Sequence, residues 1–433
     1  MNGLSFNALP PIDLPFRFFF TAPVFVILCA VLILLTGESL WLSRWQPSML
    51  ALTHGFTLGF MTMVMMGALL QLLPVVGGVG IAKPRLIVAV CYSAMVMGTL
   101  GLMANFLWPS VLLTALTMLL LASGLGVYIV ALTLVLVKKL SQGDTIIGFR
   151  LSIAALFIVL LLGVLMLGQA LPITIDISFL PAALSGKAIT NNHAILGLVG
   201  WVSLLIISVS FQVIPMFHVA PSFPKRISQF LPAALFVLLV LYAIQPKLLM
   251  TFIVAIHGIF AVSLLWVIAK RKRKIADTSI WYWQASAVTL LVINVFYFMP
   301  EQYLPDNLAQ KKVILIAALY LYWYLVAVIQ GMLLKILPFL SFTHLQQRCV
   351  SNFLAMQYLP NMHDFLNKKQ GQWLFYLHLL SGGTLLVTIL LPSMYWLLAF
   401  VLFIEFTWLL RLMKTTTALY YATLAKINSL ANE

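Results

Sequence analysis

Charge is what this sequence has least of. Only 8% of its 433 residues are Asp, Glu, Lys or Arg, where a soluble domain carries about a quarter, so a water-soluble enzyme is excluded. Acids are the scarcer sign: ten stand against 25 bases, for a net charge of +15. In a soluble chain that excess would suggest nucleic acid. Here the bases sit in short loops between apolar runs, where they report topology and contact with anionic lipid headgroups. Cysteine is almost absent as well. Cys29, Cys91 and Cys349 lie far apart with no CxxC or CxxCH, which argues against a disulfide framework, a zinc knuckle and covalently attached c-type haem. The residues before Phe18 contain one acid and one base, and lack the basic start and small-residue cleavage site of a signal peptide. The apolar run from Phe18 to Leu35 is therefore read as a retained first span.

What remains is 63% hydrophobic. A helix of about 20 apolar residues crosses a bilayer because it pairs its own backbone groups where no water is available to do so. Charges and Pro/Gly clusters cut the chain into twelve such candidates: 17–37, 48–74, 86–107, 111–138, 150–171, 190–217, 228–246, 248–269, 281–300, 313–340, 372–391 and 393–412. Loops after even-numbered spans hold Lys83 and Arg85; Lys138, Lys139 and Arg150; Lys225 and Arg226; Lys270 to Lys274; and Arg348, Lys368 and Lys369. Loops after odd-numbered spans hold only Arg44, Lys187, Lys247, Lys311 and Lys312. The bias places both termini in the cytoplasm, with even-numbered helices running from outside to inside. Two longer connections interrupt the pattern. Residues 172–189 are weakly apolar and are expected along the outer surface; residues 341–371 mix aromatics with bases and read as an interfacial amphipathic helix, a solvated linker being the alternative. No soluble domain is seen, and residues 1–433 form a single transmembrane domain.

Spans two, six and ten end alike, in GALLQLLPVV, SVSFQVIPMF and GMLLKILPFL. Seven residues before each proline (Pro74, Pro215, Pro338) the residue is small: Gly67, Ser208, Gly331. Three before, it is polar: Gln71, Gln212, Lys335. The recurrence at every fourth span reads as three four-helix units, about 17–138, 150–269 and 281–412, related by pseudo-threefold symmetry. The opposing reading is that small residues ease helix packing throughout membrane proteins.

The few polar residues inside spans are the candidate site. His54 lies twenty residues before Pro74 and His193 twenty-two before Pro215, so both sit near the outer ends of corresponding helices, and His257 lies at similar depth in span eight. Neutral imidazole ligates haem iron and copper, and a polar group inside a bilayer is costly enough to suggest function. Span ten has no histidine, so a metal site built on the repeat is asymmetric. Met216 and His218 follow Pro215, and four methionines crowd span two; thioether with imidazole suits copper(I), although methionine in an apolar helix is usually packing. Glu405 is the one carboxylate well inside a span, and a proton relay or a pairing with a cation such as Lys335 is expected of it. His344 and His363 are expected in solvent, and His378 is expected to be isolated.

The opening LPFRFFFTAPVF and the following HGFTLGFMTMVMMGALLQLLPVVGG resemble the NnrS family of membrane haem–copper proteins, through Phe16, Arg17, Phe18 to Phe20, His54, Gly59, Phe60, Gly67, Pro74 and Gly78. The segment NNHAILGLVGWVSLLIISVSFQVIPMFH is similar to distant relatives of subunit I of haem–copper oxidases. The resemblance implies an all-α polytopic fold of twelve helices in three four-helix arcs. It also implies haem b or copper near the outer face, with His54 as an axial haem ligand and His193 as a copper or second haem ligand. Leu52 and Gly55 stand where NnrS has its first histidine and its glutamate, and the helix-ten histidine pair of oxidases is missing, so oxygen or nitric-oxide reduction is not carried over. The expected function is an inner-membrane protein of redox, metal or haem handling, or the nitric-oxide response. A cofactor-free transporter or channel using the polar Gln71, Gln212 and Lys335, and an assembly subunit, are the alternatives. Membrane lipid, a second copy or other membrane subunits are the expected partners, and nucleic acid is not.

Overall fold

The structure is a computed structural model that describes residues 10–77, 80–138, 143–172, 185–350 and 353–431. It is an all-α polytopic membrane protein, with no strand among the described residues. Twelve helical rods follow in chain order. They are α1 (Asp13–Thr36), α2 (Pro47–His54, Gly55–Thr62 and Met63–Gly77), α3 (Pro84–Leu107), α4 (Val111–Lys138), α5 (Asp144–Gly168) and α6 (Gly186–Ile195, Leu196–Ser203 and Leu204–His218). The second half holds α7 (Lys225–Leu241), α8 (Pro246–Ala269), α9 (Thr278–Phe298), α10 (Asp306–Ala318, Leu319–Val326 and Ala327–Cys349), α11 (Lys368–Leu390) and α12 (Tyr395–Ala431). Eleven of them are long and apolar enough to cross a membrane. The twelfth rod, α7, has 17 residues, at the short end of the range that spans a bilayer, so eleven of the twelve expected spans are matched in full length.

Helices α2 and α6 are the interior of the bundle: 78% and 67% of their apolar stretches are buried, against 33% for α11. Their neighbours turn apolar side chains such as Leu112, Leu119 and Val137 outward, as a lipid-facing surface requires. The chain closes on itself, because α1 packs against α12 as well as against α2.

The middle stretch of α2, α6 and α10 is π-helical in each case: Gly55–Thr62, Leu196–Ser203 and Leu319–Val326. Each begins nineteen residues before the proline of its own helix and ends twelve before it. A π turn widens the helix and often marks a functional site. None of the three prolines ends its helix. Pro74, Pro215 and Pro338 all lie inside continuing helix.

The small residue seven before each proline has one physical reason in all three places. It meets the helix that opens the preceding span. A Cβ on Gly67 would stand 2.7 Å from the Phe19 ring of α1, and one on Gly331 2.5 Å from Cβ of Tyr282 in α9. At α6 the relation is mirrored: Ser208 packs so tightly on α5 that Gly148 has no room for a Cβ. Backbones that approach this closely gain dispersion contacts, which are the main attraction between helices in lipid.

Residues 341–349 continue α10 and do not open a helix of their own. Helix α10 runs on to Cys349, with Ser341, Leu345 and Cys349 at four-residue spacing buried, and a short 3₁₀ turn at Phe353–Tyr358 follows. Beside that buried stripe, His344 meets the C-terminal part of α12. At 37 residues and about 1.5 Å per residue, α12 is far longer than a ~30 Å hydrocarbon core, so its end stands clear of it. Tyr420 hydrogen-bonds His344 Nδ1 at 2.7 Å, and Thr416 donates to the Phe365 carbonyl at 2.9 Å. His344 is thus half-buried in helix, not in a solvated loop. Of the outer connection 172–189, residues 173–184 lie outside the described residues, and Gly186 already opens α6.

Two lysines counted above as loop charges have a structural task. Lys311 Nζ donates to the Ile389 and Leu390 carbonyls at 2.5 and 3.1 Å, and Lys312 Nζ to those of Tyr297 and Met299 at 3.2 and 2.7 Å. Adjacent residues of α10 therefore satisfy the open C-terminal carbonyls of α11 and α9, where a cation also complements the helix dipole.

Candidate functional site

The end of the bundle where α2 and α6 begin is the histidine end, and the opposite one is the proline end. At the histidine end the structure brings His54 and His193 together, with ring centroids 6.2 Å apart and planes 29° from parallel. His54 donates from Nδ1 to the Leu50 carbonyl at 2.8 Å, one turn back in its own helix. His193 donates from Nδ1 to the Val159 carbonyl of α5 at 3.1 Å. A carbonyl can only accept, so each neutral ring carries its proton on Nδ1 and its lone pair on Nε2. That is the tautomer in which imidazole binds a metal through Nε2 while a backbone carbonyl fixes the ring. Phe106 lies 5.2 Å from His54, ring to ring. On α5, Gly163 leaves room for His193: a Cβ there would stand 3.3 Å from its Cε1.

His257 is at similar depth but has no free nitrogen. Nδ1 donates to the Ile253 carbonyl at 2.8 Å, and Nε2 accepts from the hydroxyls of Ser203 at 3.0 Å and Tyr320 at 2.9 Å. Ser203 also lies 2.9 Å from the Tyr324 hydroxyl. His257 is therefore a cross-brace between the π segments of α6 and α10. Trp201, which donates from Nε1 to Thr62 at 3.0 Å, joins the π segments of α6 and α2 in the same way. His218 is remote from the pair: 25 residues of helix after His193 place it roughly 35 Å away, at the proline end.

No protein-family model matches this chain, and no curated protein matches it. The reading of the site rests on its own chemistry.

Two neutral imidazoles are donors of the type that would hold a haem iron or copper(I). Among the described residues no group of three or more His, Cys, Asp or Glu is assembled that could hold a metal ion.

The remaining polar residues go elsewhere. Gln71 donates to the Pro10 carbonyl at 3.3 Å, and Lys335 pairs with Asp277. The two are thus committed to separate partners, and Gln212 is half-buried. Gln71 borders an apolar cavity of about 110 Å³ between α2, α6 and α10, below the π segments, which Lys335 does not reach.

Glu405 is fully buried, and its partner is not Lys335. It accepts from the Tyr322 hydroxyl, from Gln330 Nε2 at 3.0 Å and from His378 Nδ1 at 3.0 Å, while Tyr282 donates to Gln330 Oε1 at 2.8 Å. His378, expected to be isolated, stacks on the Tyr322 ring at 4.8 Å and 15°. Three donors converging on one carboxylate are what make its burial tolerable. Sequence reasoning missed Tyr322, Gln330 and Tyr282. The tyrosine run YLYWY in the middle of span ten was the available signal, since phenol groups that deep need partners.

Proposed function

We propose that this chain is a multi-pass protein of the bacterial-type inner membrane that holds haem b or copper between α2 and α6, near the outer face, and serves redox, metal or haem handling, or the nitric-oxide response. The carrying observation is the facing pair His54 and His193, both fixed by backbone carbonyls with Nε2 available. Positive-inside counting supports cytoplasmic termini, which puts the pair on the outer side. The matching offset of the π segments supports three four-helix units in the manner of haem–copper oxidase subunit I.

Bound haem or copper would supply one-electron chemistry. The protein's own part is positional. His54 and His193 present two lone pairs, their carbonyl partners hold the ring orientation, and Phe106 and Gly163 shape the space beside them. His257, with both nitrogens engaged, has no ligand role in this reading.

An absorption spectrum with metal analysis of the purified full chain tests it. A Soret band or stoichiometric copper that is lost in His54→Ala and His193→Ala and kept in His257→Ala is expected. Folded wild-type protein that stays colourless and copper-free after expression with added haem precursor and copper overturns it.

A further inference from the structure

At the proline end a cavity of about 90 Å³ with charged residues in its lining opens between α6, α9, α10 and α11. Lys335, Arg273 and Lys368 line it with one acid, Asp277, and two imidazoles, His218 and His363. The acid is fully committed. As the cap of α9, Asp277 accepts from the Ser279 amide at 3.0 Å and hydroxyl at 2.7 Å, and its other oxygen holds Lys335. His218 Nδ1 stands 3.7 Å from that same oxygen. Three cations against one neutralised carboxylate leave the cavity positive. Partial burial and the charges of Arg273, Lys335 and Lys368 hold His363 below the usual histidine range. The positive ends of α9 and α11 add to the field, because Thr278 and Lys368, their first residues, are both in the lining.

The end of α6 beside the cavity is strained. Val219, directly after His218, has φ +51°, a left-handed conformation that a β-branched residue adopts only under constraint. The constraint is the Lys272 amide, which donates to the Val219 carbonyl at 2.9 Å. That bond ties the basic loop carrying Arg273 to the end of α6. Strain of this kind persists where the surroundings over-determine it, commonly at ligand clamps.

We infer that this cavity binds a phosphate-type oxyanion, between Arg273, Lys368 and the Asp277-paired Lys335. Arg273 uses one guanidinium nitrogen on His363 Nε2 at 3.0 Å, which leaves further N–H groups for a forked contact. Two sources carry such a group: free phosphate in the aqueous phase, and the headgroup of an anionic lipid, which basic pockets between spans are suited to hold.

The test uses the full chain with two double variants, Arg273→Gln/Lys368→Gln at the site and Lys83→Gln/Arg85→Gln on another basic loop. The site variant leaves the Lys335–Asp277 pair intact. Inorganic phosphate is titrated by calorimetry into detergent-solubilised protein. Lipid retention is read by native mass spectrometry from nanodiscs of phosphatidylglycerol or phosphatidylcholine. One saturable phosphate site, at least about fivefold weaker in the site variant and unchanged in the loop variant, identifies the free anion. One phosphatidylglycerol retained over phosphatidylcholine, lost only in the site variant, identifies the headgroup. The wild-type melting temperature should rise with whichever probe binds, a readout independent of how the variants fold. Binding of neither probe, or equal loss in both variants, overturns the proposal.

Discussion

The imidazole of His193 lies 6.2 Å from that of His54, and the room for it comes from a residue that has no side chain, Gly163 on α5. Residues that orient ligands typically contribute 10–100-fold to metal affinity. If the pair holds haem or copper as proposed, Gly163→Val weakens that binding about tenfold or more while leaving the helical fold, seen by circular dichroism, unchanged. Full retention of cofactor in this variant would show that His193 needs no such clearance.

Tight packing between α5 and α6 can be isolated with a mutant cycle. Gly148→Ala drives a methyl group into Ser208 and should cost about 1–3 kcal/mol, as overpacking does. Ser208→Gly added to it should recover most of that loss, a coupling visible in thermal unfolding of the double variant. Simple additivity of the two single effects would contradict the contact.

Glu405 anchors three donors in a dry interior. Replacement by Leu leaves Tyr322, Gln330 and His378 unpaired and should cost about 3 kcal/mol or more. Glu405→Gln, which keeps size and one acceptor, should cost clearly less. A fluorescence-based melting curve in detergent ranks the two, and equal melting temperatures would show that the network adds no stability.

Asp277 gives a pH-dependent prediction. Burial pushes its carboxyl up, but the Lys335 ammonium beside it, with Ser279, more than compensates and holds it below the usual range. A depressed carboxyl stabilises the fold at and above its unfolded value, about pH 4, and that stabilisation disappears as pH falls through the lower folded value. Asp277→Asn should therefore melt below wild type at pH 7, with the gap closing below about pH 4. A gap independent of pH would rule the charge out as its cause.

Much of the architecture was legible because lipid imposes simple rules. Apolar length marks the helices, and the small residues Gly67, Ser208 and Gly331 mark where backbones approach. Depth in the span was enough to single out His54 and His193, since offsets of twenty and twenty-two residues from the prolines imply similar height. It could not distinguish His257, whose nitrogens are both occupied by residues distant in sequence. The environment of Glu405 was hidden for the same reason: its partners come from α10 and α11, and no local pattern joins them. Nor does sequence reveal the fate of 341–371. A stripe of Ser341, Leu345 and Cys349 reads equally as an interfacial face or as the buried face of a continuing helix that it proves to be.

The π segments set the rotational phase of the central helices. One residue inserted into an α-helix turns everything after it by about 100°, whereas a π turn takes up an extra residue locally. Gly55–Thr62, Leu196–Ser203 and Leu319–Val326 thus act as couplings between two faces with separate angular demands. At one end of α2 and α6 the histidines must face each other; at the other, Gly67 must meet Phe19 and Ser208 must meet Gly148. Deleting a single residue from Gly55–Thr62 would leave both sets of side chains in the chain and put them out of step.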